Sequence, residues 1–207
     1  MNMSKESIEY KSIIMRCDRI EKDAFIDVSD KYTIVKYHSG MESVWAEIQK
    51  VSGQFEGYTD EDILEYFKKT FLQNSSEISE RCIFLKDIAE GMYIGTCCAW
   101  FAEKDKKRVP VLHWLAVIPQ YRNKGCARML ITETLKIFSQ KYGNQGIYLH
   151  TQPSSYQAIK LYNDFGFNIA REDCYGHAVN EYAEAMEILE RVMENKAFER
   201  LQESAVR

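Results

Sequence analysis

Hydrophobic and polar residues follow one another in this chain with two periods, one typical of strands and one typical of helices. The segment from Val111 to Val117 is an apolar run interrupted by His113 and closed by Pro119, as expected of a strand covered on both faces. After a basic turn, apolar residues recur at helical spacing at Ala127, Leu130, Ile131, Leu135 and Phe138. The pattern predicts a buried strand, an exposed basic turn and a helix whose apolar face packs on a sheet.

The same two periods predict most of the remaining elements. Alternating segments predict strands at residues 32–37, 81–86 and 92–101. Helical spacing predicts helices at residues 41–51 and 60–72. Thr59 or Asp60 is the expected N-cap of the second helix, and the charged segment Glu103 to Arg108 is the expected solvated end of a hairpin. Ile8 to Cys17 fits either an extra strand or part of an N-terminal arm.

Length and composition narrow the class of protein. A chain of 207 residues is long enough for one domain with a proper core. It has no apolar stretch long enough to cross a bilayer, and its opening M-N-M-S-K-E-S lacks the apolar run of a signal peptide. The six cysteines have no C-x-x-C or zinc-ligand spacing. We expect no metal site, reduced structural thiols and a cytoplasmic location without membrane association.

Net charge adds little to this picture. The formal charge of −4 argues against a nucleic-acid partner, which usually requires a basic stripe. It is compatible with a cationic amine substrate, although mild acidity is common among cytoplasmic proteins.

The turn before the predicted helix carries the candidate binding chemistry. Backbone N–H groups at a helix start have no partner within the helix and favour anions such as phosphate. Gly125 lacks a Cβ, so that a ligand can approach its backbone closely. The alternative is an ordinary helix start whose basic residues are solvated.

Two blocks of sequence resemble one known family. Arg122-Asn123-Lys124-Gly125-Cys126-Ala127 fits the R/Q-x-x-G-x-G/A signature of the GNAT superfamily of acetyl-CoA-dependent N-acetyltransferases, and Leu115-Ala116-Val117 resembles the end of its fourth strand. Residues 146–151 resemble its fifth strand, and residues 158–167 resemble its A-x-x-L-Y-x-x-x-G-F helix and sixth strand. The two matches occur in the family's order and together cover about residues 93–170.

This resemblance implies an α/β (α+β) fold. The expected architecture is a mixed, mostly antiparallel central sheet with splayed parallel strands 4 and 5, helices on both faces and an extra C-terminal helix. We expect an N-terminal arm or extra strand at 1–30, the GNAT domain at 31–178 and a C-terminal helical extension packed on it at 179–207.

The extension departs from the family, which usually has a seventh strand at this point. Residues 182–189 could be fitted to a strand, but a helical stripe continues almost to the chain end, at Tyr182, Ala185, Met186, Leu189, Met193, Ala197 and Leu201. The helix is therefore favoured. Such a stripe normally packs on its own domain, and a homodimer contact is its other use.

The implied activity is direct transfer of an acetyl group from acetyl-CoA to a primary amine of a small molecule or peptide. The alternative is a non-catalytic module that binds or senses acyl-CoA. The resemblance assigns phosphate binding to the turn and the helix start, at Arg122, Asn123, Lys124, Gly125, Cys126, Ala127 and Arg128. It assigns the pantetheine arm to the backbone of Leu115, Ala116 and Val117. Ser155 is either a cofactor contact or the N-cap of the next helix.

Family resemblance also assigns the catalytic roles. Tyr162 corresponds to the tyrosine that protonates the departing sulfur, and a phenol of pKa about 10 suits a thiolate of pKa about 8.5. The candidate general base is His113, with His150 and water as alternatives. Cys126 fits a small residue filling the turn better than a nucleophile, although a helix start would lower its pKa. No motif identifies the acceptor amine.

Overall fold

A computed structural model describes residues 8–143 and 145–207 of the chain. Its strands are β1 (Ile13–Cys17), β2 (Tyr32–Lys36), β3 (Cys82–Asp87), β4 (Tyr93–Lys104), β5 (Lys107–Val117), β6 (Ile147–Thr151) and β7 (Asn168–Ile169). Its α-helices are α1 (Glu42–Val51), α2 (Asp60–Phe71), α3 (Ser75–Arg81), α4 (Cys126–Tyr142), α5 (Tyr156–Asp164), α6 (Tyr182–Val192) and α7 (Asn195–Glu203). The opening segment on which the signal-peptide expectation depends lies outside the described residues.

Within the described residues the strands form a seven-stranded sheet in the order β2-β3-β4-β5-β6-β1-β7. Strand β1 is antiparallel to β6 and β7, and β3 is antiparallel to β2 and β4. Strand β5 runs parallel to β6, with Val111 opposite Tyr148. The predicted mixed, mostly antiparallel sheet is therefore confirmed.

The first strand comes from the N-terminal part of the chain. Of the two alternatives for Ile8 to Cys17, the structure shows a strand at Ile13–Cys17. It lies between β6 and β7, with Met15 opposite Leu149 on one side and Ile169 on the other. The predicted domain limits at residues 30 and 178 stay a prediction.

The chain divides into two compact units. One unit contains the described parts of 1–24, 101–111 and 144–207, and the other contains 25–100 and 112–143. In the first, Ile14, Val111, Tyr148, Ala170 and Tyr175 form a buried cluster. In the second, Trp45 of α1 and Phe67 and Phe71 of α2 are buried, and their rings contact one another.

Local sequence explains why α2 starts where it does. The Thr59 hydroxyl accepts from Asp62 N at 3.2 Å, and the Asp62 carboxylate accepts from Thr59 N at 3.0 Å. This reciprocal capping box satisfies two N–H groups that the helix leaves unpaired. Of the two predicted N-caps, Thr59 is the correct one.

The hairpin between β4 and β5 also follows from its sequence. Asp105 and Lys106 both have left-handed backbones, with φ values of 50° and 61°. Two left-handed central residues match the right-handed twist of the flanking strands, as in type I′ turns. The predicted charged hairpin end is confirmed.

Helix α6 covers Tyr182–Val192, which confirms the preference for a helix over a strand at residues 182–189. The apolar stripe forms two helices rather than one, because Met193 adopts an extended backbone with ψ of 156°. Its side chain is buried at this break, and α7 begins two residues later. Among the helices of residues 8–143 and 145–207, none has both the length and the apolarity of a membrane span.

Candidate active site

The predicted strand, turn and helix are all present in the unit containing residues 112–143. After β5, a single 3-10 turn at Pro119–Tyr121 leads into the basic turn, and α4 starts at Cys126. Asn123 and Gly125 have left-handed backbones, with φ values of 60° and 80°. Asparagine and glycine adopt this conformation most readily, and these two residues reverse the chain before the helix.

The turn leaves a row of backbone donors unused. Within the described part of the chain, the N–H groups of Asn123 through Ala127 donate to no protein acceptor. The N–H of Met129 is bonded normally, to Gly125 O at 3.0 Å. Arg122 to Gly125 are exposed. The start of α4 therefore has the properties of an anion site: free donors, a helix N-terminus and adjacent positive charge.

Gly125 is required for a different reason than the sequence suggested. A Cβ at this position would lie 3.7 Å from Ile26 Cδ1 and 3.8 Å from Met129 Cε, which are ordinary contact distances. Those atoms belong to the protein's own packing, so the absence of a Cβ is not what opens the turn towards a ligand. The constraint is conformational, because a φ of 80° is unfavourable for residues with a Cβ.

The Arg122 side chain is occupied by the protein itself. Its Nη2 donates to Ser52 O at 3.0 Å and its Nε lies 3.4 Å from Val117 O. Ser52 is the C-cap of α1, so Arg122 joins the end of that helix to the end of β5. Its role as a phosphate ligand is thus limited to its remaining donors.

The neighbouring side chains differ in how accessible they are. The Lys124 ammonium lies 4.8 Å from the centre of the Tyr121 ring and is exposed. Ala127 and Arg128 are half-buried in the first turn of α4. The Cys126 side chain is buried, and burial raises the pKa of its thiol, contrary to the lowering expected at a helix start. A buried, protonated thiol fits the predicted filler role and not a nucleophile.

The last residues of β5 are held against β4. Ala116 and Val117 are buried and Leu115 is half-buried. A Cβ at Gly95 would lie 2.8 Å from Ala116 O and 3.2 Å from Val117 Cγ2. Gly95 therefore permits a close approach between these strands, a contact that sequence reasoning missed because no motif marks it.

His113 belongs to an aromatic cluster next to this segment. Its ring centre lies 6.2 Å from Phe71 and 5.5 Å from Trp114, and the residue is half-buried. Trp114 has a left-handed backbone with φ of 51° in the middle of β5. The regular alternation of side chains along β5 is therefore interrupted directly after His113.

Tyr162 and Ser155 lie in the other unit. Tyr162 is in α5, 8% exposed, with its ring edge-on to Phe167 at 6.1 Å. Its backbone oxygen accepts from Phe165 N and Phe167 N. Ser155 is the residue before α5, but its side chain makes no capping hydrogen bond, so the N-cap role expected for its hydroxyl is wrong.

The structure explains why the A-x-x-L-Y-x-x-x-G-F motif has glycine at position 166. Gly166 has φ of 93°, and a Cβ there would lie 2.3 Å from Arg19 O. Both the backbone conformation and the contact with the main chain exclude a side chain.

His150, on β6, has well-defined polar neighbours. Its Nε2 lies 3.0 Å from Ser12 Oγ and 3.4 Å from Tyr10 Oη. Desolvation of the ring lowers the pKa of His150, although part of the residue is exposed. The imidazole is thus neutral at neutral pH and able to accept a proton.

A buried polar residue in α1 also contacts β5. The Gln49 side chain donates through Nε2 to Trp114 O at 3.0 Å. Sequence reasoning missed this residue, because a lone glutamine in an amphipathic helix carries no signal of such a contact.

Comparison with known proteins defines the class. The sequence profile of the acetyltransferase (GNAT) family matches residues 43–167, more than half of the chain. The chain belongs to this family.

Two curated relatives are N-alpha-acetyltransferases. N-alpha-acetyltransferase 50 of Danio rerio is 29% identical over 105 residues, 50% of this chain and 60% of the relative. The N-alpha-acetyltransferase of Saccharolobus solfataricus is 38% identical over 53 residues, 26% of this chain and 32% of the relative. The chain thus matches less than two thirds of the length of either relative.

Solved structures of the family share the fold. A GCN5-related N-acetyltransferase from Sphaerobacter thermophilus aligns with 77% of this chain and 50% of its own, with a TM-score of 0.58 and 18% identity. The aminoglycoside N-acetyltransferase AAC(6')-Iy, solved in complex with CoA, aligns with 75% of this chain and 96% of its own, with a TM-score of 0.54 and 16% identity. At these identities the likeness concerns the fold.

Proposed function

We propose that the protein is an N-acetyltransferase that moves the acetyl group of acetyl-CoA directly to a primary amine. The observation that carries the proposal is the row of unbonded N–H groups from Asn123 to Ala127 at the start of α4, in the described part of the chain. Membership of the GNAT family and the CoA complex of a structural neighbour support the choice of ligand.

On this proposal the pyrophosphate of acetyl-CoA accepts from the backbone of Asn123 to Arg128, where the helix start adds favourable charge. Lys124 supplies a mobile positive charge, and Arg122 keeps the turn in place through its contacts with Ser52 and Val117. The pantetheine arm pairs with the backbone of Leu115, Ala116 and Val117. Ser155, whose hydroxyl is not used as a cap, is a further cofactor contact.

The chemistry needs a neutral amine and a protonated leaving thiolate. Tyr162 is the proposed acid, which donates its phenolic proton to the CoA sulfur as the carbon–sulfur bond breaks. We propose a histidine as the proton acceptor; His150 is one candidate, because its Nε2 lies within reach of Ser12 and Tyr10 and desolvation lowers its pKa. His113 is the alternative; its ring packs against Phe71 and Trp114, which equally suits a role in the core.

The names of the two curated relatives favour the α-amino group of a polypeptide as acceptor over an aminoglycoside. The described cysteines are free, and five of the six are buried, which suits a reducing cytoplasm. We also propose a homodimer that forms through α6 and α7. The alternative is that the apolar residues of these helices, which are buried in the single chain, serve only to pack them on their own domain.

The test is release of free thiol from acetyl-CoA in the presence of a panel of amines. The panel contains peptides with a free N-terminus, the same peptides with a blocked N-terminus, a polyamine and an aminoglycoside. We expect release with the free peptides and none with the blocked ones. Tight acetyl-CoA binding without thiol release from any amine would favour the non-catalytic binding module instead.

A further inference from the structure

Gln49 is a buried amide whose orientation is defined by its partner. Its side chain is 0% exposed, and Nε2 donates to Trp114 O at 3.0 Å. A carbonyl oxygen can only accept, so the amide nitrogen must face Trp114. Gln49 Oε1 has no hydrogen-bond partner within the described residues. An unpaired buried acceptor lowers stability, so an apolar residue would suit stability better here.

The residue that Gln49 contacts has an unusual backbone. Trp114 has φ of 51° inside a strand, a conformation that is unfavourable for a residue with a Cβ. Its ring is held in place: Nε1 donates to Tyr66 Oη at 3.1 Å, and the ring stacks on Phe55 at 4.8 Å between centres. The surrounding side chains thus maintain a strained backbone, and Gln49 binds its carbonyl directly.

Trp114 lies immediately before the segment that would carry the pantetheine arm. A left-handed residue changes the direction of the strand, so it sets the orientation of the peptide groups in Leu115, Ala116 and Val117. The other end of the segment is also tied to α1, since Arg122 joins Val117 O to Ser52 O. Gln49 of α1 therefore contacts β5 directly before the cofactor segment, and the C-cap of α1 is linked through Arg122 to the last residue of that segment.

We propose that Gln49 is a positioning residue: its hydrogen bond to Trp114 O holds the bend that presents the Leu115–Val117 backbone to the pantetheine arm of acetyl-CoA. This inference rests on the proposed function. Gln49 does not contact the cofactor in this proposal. It acts on the cofactor segment through the peptide group of Trp114.

Two ligands separate the pantetheine contact from the phosphate contact. Acetyl-CoA carries both parts, whereas 3′-phosphoadenosine 5′-diphosphate carries the phosphates without the pantetheine arm. We expect Gln49→Met, which keeps the length of the side chain and removes the donor, to bind acetyl-CoA about five- to tenfold more weakly, the scale of one hydrogen bond. Its affinity for the diphosphate should equal that of the parent. Isothermal titration calorimetry measures both.

Ile48→Val is the matched control. Ile48 lies next to Gln49 on the same helix and is 2% exposed. The substitution removes a buried methylene group but no hydrogen bond to β5, so Ile48→Val should leave both affinities unchanged. Gln49→His, which keeps an N–H donor at a similar reach, should restore most of the acetyl-CoA affinity.

Several results would overturn the inference. Equal acetyl-CoA affinities of Gln49→Met and the parent would do so, and so would an equal loss for both ligands, which indicates a general structural effect. If Gln49→Met does not fold, the Gln49 side-chain amide signal of the parent decides by NMR: it should shift with acetyl-CoA and not with the diphosphate, and the absence of that difference rejects the inference. If the parent protein binds neither acetyl-CoA nor the diphosphate, the proposed function is rejected, and the inference about Gln49 is rejected as well.

Discussion

At the scale of single residues, Tyr162 is the only residue proposed as the general acid, so its substitution tests that role directly. We expect Tyr162→Phe to lower kcat about a hundredfold, the typical scale of a lost general acid, because the thiolate then leaves unprotonated. Acetyl-CoA affinity should change little, since the ring and its edge-on contact with Phe167 remain. Thiol release and calorimetry on the same preparation give both values. A variant as fast as the parent would remove the acid role from Tyr162.

The pH dependence of the rate distinguishes His150 from His113 as the general base. The lowered pKa of His150 means that its imidazole stays neutral to below the usual value of about 6.5. If it accepts the proton of the bound amine, kcat at saturating amine should fall only below that pH, and His150→Ala should abolish this acid limb. His113→Ala is the matched comparison and should keep it. An acid limb lost in His113→Ala instead would transfer the role to His113.

Residue identities alone did not reveal every member of the site. The signature found the turn, because glycine and basic residues at a helix start have a recognisable spacing. It could not reveal that Arg122 binds Ser52 O and Val117 O, or that Gln49 reaches Trp114, since these contacts join segments far apart in sequence. The pKa of Cys126 was also misjudged, because the burial that raises it is a property of the folded chain.

At the scale of elements, the start of α4 offers a sharp test. Gly125→Val places a β-branched residue at φ of 80°, where left-handed backbone costs about 1–2 kcal/mol. The turn should relax and lose the alignment of its N–H groups, so acetyl-CoA affinity should fall at least about tenfold. Calorimetry measures the affinity, and thermal unfolding measures the stability.

Gly143→Val is the control for that substitution. Gly143 follows the C-terminal end of the same helix and has φ of 61°, and a Cβ there would meet no atom of the described residues within 4 Å. This variant should lose stability while keeping acetyl-CoA affinity. Equal losses of affinity in both variants would show that helix stability, and not the turn, controls binding.

A second element-scale prediction concerns Asp173, which joins three strands. Arg16 in β1 lies 2.8 Å from its Oδ2, Tyr148 in β6 donates to Oδ2 at 3.0 Å, and Lys104 in β4 contacts Oδ1. Burial opposes its ionisation, but the bonds from Lys104, Arg16 and Tyr148 prevail and lower the pKa of Asp173. The carboxylate is therefore bound more favourably in the folded state than in the unfolded chain.

The sign of the pH effect follows from that shift. A carboxyl with a lowered folded-state pKa stabilises the protein above its unfolded pKa of about 3.9, and this contribution disappears as the pH falls through the folded value. Asp173→Asn should therefore lower the free energy of unfolding at pH 7 by about 2 kcal/mol, with a smaller difference in acid. Urea titrations across pH measure this difference. A difference that does not shrink in acid would contradict the role of the charge.

At the scale of the whole molecule, helix α3 was not predicted, but the order of the other elements from β2 to α5 was predictable because each carries its own periodicity and end signals. Thr59 and the Asp105–Lys106 turn are examples. The position of β1 between β6 and β7 was not predictable, since pairing between strands at least 130 residues apart in sequence leaves no local pattern. The break at Met193 was missed for a similar reason: neither proline nor glycine marks it.

The central claim is that the backbone amides at the start of α4 bind the phosphates of acetyl-CoA. Amide NMR signals of Asn123 to Arg128, followed during titration with acetyl-CoA, test this directly. We predict that these signals shift together and saturate with the calorimetric affinity, and that 3′-phosphoadenosine 5′-diphosphate shifts them as well. Saturation of the protein with acetyl-CoA while these amides keep their positions would contradict the claim.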